Sequence, residues 1–260
     1  MKYKLWDKTP LFDPAYGQEE PTLEPFLAPG SPGAVIVCAG GAYQMRCEYE
    51  AYPVAEMLQS YGVNAFILHY LVAPYKAPCA LADLQRAIRF LRANAEEWQI
   101  DPEKIGAIGF SAGGHLVASG CTIKETGLES VDDIDRLPCH LNAGILCYPV
   151  ITMGNGGHAG SRVALLGSDA DAETIDKYSC EKHISDYTPP CFLYHTFEDA
   201  AVPALSNSGA FASAMKEAGR PCELHIFQHG IHGSAWDTGE AGQWRSLLKV
   251  WLENQHFTIK

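Results

Sequence analysis

The chain has 260 residues, 47% hydrophobic and 19% charged, which is a globular composition able to bury a sizeable core and excludes a disordered or fibrous chain. Nineteen Lys and Arg stand against 31 Asp and Glu, a formal charge of −12. With no basic patch to offset it, that balance disfavours nucleic acid, anionic membranes and polyanionic substrates, and favours a small neutral one.

In chain order, the opening "MKYKLWDKTP" lacks the apolar stretch of a secretory signal. No run approaches the roughly 20 apolar residues that span a bilayer. A soluble, cytoplasmic protein is expected. Residues 1–30, rich in Pro and acidic groups, read as an irregular lead-in with one short strand near 23–27. "AVIVC" (34–38) is a continuous β-branched run, as in a strand buried on both faces.

A Gly-rich turn precedes a predicted helix over 48–62 that closes at Gly62, and "VNAFILHY" is the next buried strand. The clearest helix covers 79–98, where Leu81, Leu84, Ile88 and Leu91 share one face. Then "KIGAIGF" reads as strand and "AGGHLVASGCTI" as helix; "LNAGILCYPV" and "PPCFLYHTF" are further strands. A helix over 203–219, the strand "CELHIFQ" and a closing helix over 239–255 complete the chain.

Such alternation predicts a doubly wound, mostly parallel α/β sheet with helices on both faces, in a single domain over 1–260. The departures at 121–140 and 151–189 read as insertions over the sheet top, forming a short lid. The nine cysteines are scattered and never form CxxC. They read as free, mostly buried thiols in a reducing compartment rather than as a disulfide framework or metal site.

In such sheets functional residues gather at the carboxyl ends of the strands. There "GFSAG" places Ser111 between Gly109 and Gly113, preceded by a strand and followed by a helix. The motif is weak alone; the strand–turn–helix context gives it force. Side chains two residues either side of Ser111 would collide in so tight a turn, hence the glycines. The Ala112 N–H opens the following helix and can face an incipient oxyanion.

A serine hydroxyl needs a base, and the base an orienting acid. One late strand ends in Glu198 and Asp199, and the next in His229 and His232. This is the order of an α/β-hydrolase: nucleophile, acid, base. Asp199 is preferred for its position before the turn at Pro203, with Glu198 read as a solvated neighbour. His232, beside Gly230 and Gly233, is the preferred base and His229 the alternative; His225, within the strand, reads as structural. "VCAGGAY" supplies a turn at Gly40, Gly41 and Ala42 where backbone N–H groups can approach a carbonyl oxygen. Tyr43 and Tyr70 fall at strand ends, as substrate-binding residues of the pocket or as core. His115 lies one turn into its helix, too near Ser111 to serve as base, and reads as packing or capping.

Together "VCAGGAY", "DLQRAIRFLRANAEEW", "IDPEKIGAIGFSAGGHL", "HTFEDAAVP" and "ELHIFQHGIHG" resemble the acetyl-esterase/lipase group of α/β-hydrolases, in its acetyl xylan esterase-like (xylanase B-like) subset. The resemblance runs over residues 10–255. It implies Ser111 as nucleophile, Asp199 as acid, His232 as base, and an oxyanion hole from Gly41, Ala42 and Ala112. It further implies hydrolysis of short acyl esters, often acetyl groups on carbohydrates, without metal or other cofactor. The expected partner is a small neutral ester or acylated sugar, and a homo-oligomer is compatible with the chain.

Three departures stand out: Ala42 replaces a third glycine, "EDAAVP" a more usual Asp-Asp-Pro run, and "HGSAW" a Gly-Phe after the histidine. An alanine still donates its N–H if φ stays negative. Competing readings are an amidase or formamidase on the same residues and a ligand-binding protein that has lost catalysis. A metallohydrolase using His225, His229 and His232 beside Glu198 or Asp199 matches no standard ligand spacing.

Overall fold

The computed structural model describes residues 1–258; the last two residues of the expected 1–260 domain lie outside that range. Eight strands form one sheet: β1 (Tyr3–Lys4), β2 (Thr22–Phe26), β3 (Ala34–Cys38), β4 (Asn64–His69), β5 (Ile105–Phe110), β6 (Ala143–Cys147), β7 (Cys191–Thr196) and β8 (Cys222–Phe227). Their order is β1-β2-β4-β3-β5-β6-β7-β8. From β4 to β8 every pair is parallel, while β1 and β2 run antiparallel at one edge. β1 reaches only Thr22 and Leu23, so Pro25 sits where β2 has a free edge and its missing N–H costs no ladder bond.

Among the described residues there are seven α-helices: α1 (Tyr52–Ser60), α2 (Cys79–Ala93), α3 (Ala112–Thr122), α4 (Ala159–Leu166), α5 (Ala172–Lys177), α6 (Ala210–Glu217) and α7 (Trp244–Asn254). The pleat of β3 divides the core. Ala34, Ile36 and Cys38 pack with Leu81, Leu84, Ile88 and Leu91 of α2 and Leu116 of α3. Val35 and Val37 pack on the opposite face with Val54 and Leu58 of α1 and Trp244 and Leu248 of α7. Strand periodicity of two thus serves two helical layers at once.

Three predicted helices start later than the sequence suggests; the closing one, expected over 239–255, opens with a 3₁₀ turn (Glu240–Gln243) before α7. Over 48–62 the chain first makes a 3₁₀ turn (Glu48–Glu50), and α1 begins only at Tyr52, with a proline in its first turn. Over 203–219 a loosened turn (Leu205–Gly209) precedes α6, where the buried Asn207 amide bonds to Ile151, Gly156 and Pro203 of the backbone.

The expected placement of 121–140 over the sheet top is corrected. α3 starts beside Ser111, at Ala112, and its 11 residues carry the chain about 16 Å away from the serine. From there to residue 140 the chain is tied to α2, through Arg86 to Asp132 and Asp135, Arg89 to Glu125, and Arg92 to the carbonyls of Pro138 and His140. From the segment 151–189, His158 shares a cavity with Ser111. Among the described residues no helix is long and apolar enough to cross a membrane.

Candidate active site

β3 pairs with both β4 and β5, so the connections leaving β3 and β5 diverge to opposite sides. A crevice opens at such a switch point, beyond the carboxyl ends of the strands. Gly40–Ala42 follow β3 and Ser111 follows β5. Asp199 and His232 come from the ends of the neighbouring strands β7 and β8.

Ser111 adopts φ 53° and ψ −117°, a strained conformation for any side-chain-bearing residue. The strain is fixed by close packing: a Cβ on Gly109 would overlap the Gly113 carbonyl, and one on Gly113 the Cys38 carbonyl. The turn projects Ser111 Oγ toward His232, whose Nε2 lies 2.8 Å away. His232 Nδ1 lies 2.6 Å from Asp199 Oδ2. The Asp199 side chain is fully buried, whereas that of His232 is 25% exposed, so the chain of bonds leads from interior to cavity.

Burial alone would raise the Asp199 carboxyl. Hydrogen bonds from His195, His232 and the Val202 N–H outweigh it and hold the group well below the usual carboxylate range. Asp199 Oδ1 accepts the backbone N–H groups of Ala201 and Val202 at 3.0 and 2.9 Å. His195 was not singled out from sequence as part of this site. Its Nε2 donates to the Val202 carbonyl at 2.8 Å and lies 3.2 Å from Asp199 Oδ2, while Nδ1 pairs with Ser208 Oγ at 2.8 Å. A carbonyl can only accept, so the proton sits on Nε2 and faces the carboxylate.

Gly41 and Ala42 leave their N–H groups without a protein acceptor among the described residues. Ala112, the first residue of α3, has no intrahelical acceptor either. All three positions border Ser111. The condition of negative φ at Ala42 is overturned: Ala42 has φ 55° and Tyr43 φ 59°. The loop turns through the left-handed region here with an alanine where glycine would be unstrained.

Glu50, also missed from sequence, anchors this loop. Although only 2% exposed, it accepts the Gly40 N–H at 2.7 Å through Oε2 and the Tyr148 hydroxyl at 2.6 Å through Oε1. Burial raises its pKa, and the hydrogen bonds from Tyr148, Gly40 and Tyr49 oppose that rise. Tyr148 in turn sets its ring edge-on to His232, with centroids 5.1 Å apart. One carboxylate thus couples the loop after β3 to the packing of the imidazole. The only sequence signal was an acidic residue among the apolar positions of "EYEAYPVAEM".

A cavity of about 330 Å³ opens over Ser111, lined also by Gly41, Ala42, Met45, His158 and His232. A larger one, about 460 Å³, lies across the Gln44–Met45 turn and touches none of Ser111, His232 and Asp199. The smaller cavity is the one lined by Ser111 and His232. Tyr43 and Tyr70 line neither, correcting their placement as substrate-binding residues. Both are buried in the core, with hydroxyls bonded to His115 Nδ1 at 2.8 Å and the Ala39 carbonyl at 2.5 Å.

His115 donates through Nε2 to the Tyr178 carbonyl at 2.8 Å, and burial pushes its pKa down to about 4. It is a packing residue. His225 pairs with Glu223 in a half-buried position, and His229 with Glu198 at the surface. His225, His229 and His232 therefore engage three different acids instead of converging. No cluster of three or more His, Cys, Asp or Glu among the described residues is arranged to hold a metal ion.

A mostly parallel eight-stranded sheet, helices on both faces and a serine on a strained strand-to-helix turn define an α/β-hydrolase. Residues 28–215 match the BD-FAE family, and the chain belongs to it. The match includes Ser111 and Asp199 and ends before His232. Endo-1,4-beta-xylanase B of Butyrivibrio fibrisolvens is 38% identical over 79% of this chain and 34% of its own length. Acetylxylan esterase of Xylanibacter ruminicola is 31% identical over 79% of this chain and 42% of its own. The chain thus spans well under half the length of these two relatives. The crystal structure of an acetyl ester-xyloside bifunctional hydrolase from Caldicellulosiruptor lactoaceticus is 40% identical, with TM-score 0.94 over 100% of this chain and 97% of that one.

Proposed function

We propose that this protein is a serine carboxylic-ester hydrolase that removes short acyl groups, acetyl above all, from carbohydrates through an acyl-enzyme. The unbroken hydrogen-bonded chain from Ser111 through His232 to buried Asp199, beside donors without acceptors, carries this reading. His232 Nε2 takes the Ser111 proton as Oγ attacks the ester carbonyl. Asp199, kept ionised by its own hydrogen bonds, steadies the imidazolium.

The N–H groups of Gly41, Ala42 and Ala112 receive the negative charge that develops on the carbonyl oxygen. Collapse expels the alcohol, which takes its proton from His232, and leaves the acyl group on Ser111. Water then enters and attacks the acyl carbon as His232 takes one of its protons; the acyl–Oγ bond breaks, His232 returns the proton to Ser111 Oγ, and the carboxylic acid leaves. A cavity of about 330 Å³ suits an acetyl group and one or two sugar rings better than a long acyl chain.

The names of the acetylxylan esterase and of the acetyl ester-xyloside hydrolase favour acetylated xylan fragments as substrate. Nine free cysteines favour a reducing, cytoplasmic setting, where small acetylated oligosaccharides are the accessible form of such a substrate. Ser111→Ala should lower kcat on p-nitrophenyl acetate at least about 10⁴-fold and leave the circular dichroism spectrum unchanged. Retained turnover, or faster hydrolysis of hexanoyl than acetyl esters by the unaltered protein, would contradict the reading.

A further inference from the structure

We propose that His158 is a substrate-contacting residue whose Nε2–H binds an oxygen of the alcohol portion of a carbohydrate ester. The inference rests on the esterase reading above and names how the alcohol side is recognised. His158 precedes α4 and caps it: the Ser161 N–H donates to His158 Nδ1 at 3.1 Å, with Ser161 Oγ 2.9 Å from the same nitrogen. A backbone amide can only donate, so Nδ1 is the unprotonated nitrogen and the single proton of the neutral ring sits on Nε2. The cap therefore fixes the tautomer.

No group among the described residues pairs with Nε2, although the ring lines the cavity that holds Ser111 and His232. Burial, and then the neighbouring His232, push the His158 pKa down, with Asp199 opposing, so the ring stays a neutral donor. The loop leading to His158 is tethered to the turn before α6. Asn207 bonds to the Ile151 N–H and the Gly156 carbonyl at 2.9 Å each, and Ser206 Oγ bonds the same carbonyl at 2.8 Å.

The direction of catalysis selects the part of the substrate it meets. The acyl oxygen turns to the N–H groups of Gly41, Ala42 and Ala112, whereas the alcohol leaves beside His232, which must protonate it. His158, which lines the same cavity as Ser111 and His232, supplies a second donor to the alcohol. A sugar offers a ring oxygen and neighbouring hydroxyls there; a nitrophenyl group offers no comparable acceptor.

Two substitutions separate this role from simple helix capping. His158→Asn retains a side-chain acceptor for Ser161 N–H but places no donor at the Nε2 position. His158→Gln places an amide nitrogen close to Nε2 and forfeits the cap. The measurement is kcat/KM on monoacetylated xylotriose divided by kcat/KM on p-nitrophenyl acetate. Taken on one sample, this ratio does not depend on how much protein is folded.

H158N should lower the ratio about tenfold, the effect of one lost hydrogen bond, and keep the wild-type Tm. H158Q should lower Tm and hold the ratio within about threefold of wild type. Equal losses on both esters, or a ratio that follows the cap instead of the donor, would overturn the proposal. Ser111→Ala in the same assay tests the underlying reading separately, since its persistence on both esters would remove the esterase assignment whatever His158 does.

Discussion

Two buried polar clusters lie on this protein, and they differ in what they leave unpaired. Beside α2, Arg86 is 2% exposed and makes four hydrogen bonds, to the Leu5 carbonyl, to Asp132 twice and to Asp135, with its guanidinium 4.8 Å above the Trp6 ring. At the strand tops, Asp199 is equally enclosed, yet its chain of bonds ends on a serine facing a cavity, next to the unpaired N–H groups of Gly41 and Ala42. Burial and charge are common to both. Donors without partners, beside a space a molecule can enter, distinguish the second cluster from the fully paired first.

The contrast can be broken from either end. Asp199→Asn keeps the shape of the acid but reverses the hydrogen bond to His232 Nδ1. It should lower kcat on acetyl esters about 10⁴-fold with little change in KM. The same variant tests the electrostatics. The folded pKa of Asp199 lies below its unfolded value, so its contribution to stability is complete above about pH 4 and is lost as pH falls through the folded value. Asp199→Asn should therefore flatten the acid limb of a Tm-against-pH curve, and an unchanged limb would refute the cause assigned to the depression.

At the structural cluster, Arg86→Met strands Asp132 and Asp135 and should cost about 3 kcal/mol in urea unfolding. Because this cluster is tied to α2, away from Ser111, kcat per folded molecule should stay within about twofold of wild type. A large loss of kcat would dissolve the distinction between the two clusters. The smallest effect concerns the loop itself. Ala42→Gly should relieve the positive φ and stabilise the protein by about 1 kcal/mol, without lowering kcat.

The sheet was legible because most of its inner strands are continuous apolar runs and β8 alternates apolar with polar residues, so every strand from β3 to β8 lies where the sequence pattern puts it. β1 was not, since two residues at an edge carry no pattern. Ser111, Asp199 and His232 stand out because a backbone constraint ties each to a strand end: glycines at fixed offsets, a late acid, and a histidine among glycines. Glu50, His158 and His195 carry no such signature. Glu50 matters through contacts with Gly40 and with Tyr148, 98 residues away in sequence, and His158 sits in a segment without periodicity. Tyr43 and Tyr70 show the opposite failure, because a strand-end position gives no information on whether a ring turns to the cavity or the core.

The most direct test of the account is to quench a reaction with acetyl ester in acid during steady turnover and map the protein by peptide mass spectrometry. The account predicts an acetyl group on the Ser111 peptide, accumulating further in His232→Ala when a phenolic ester supplies a leaving group that needs no proton. Turnover without acylation of Ser111, or acetyl transfer to another residue, would contradict it.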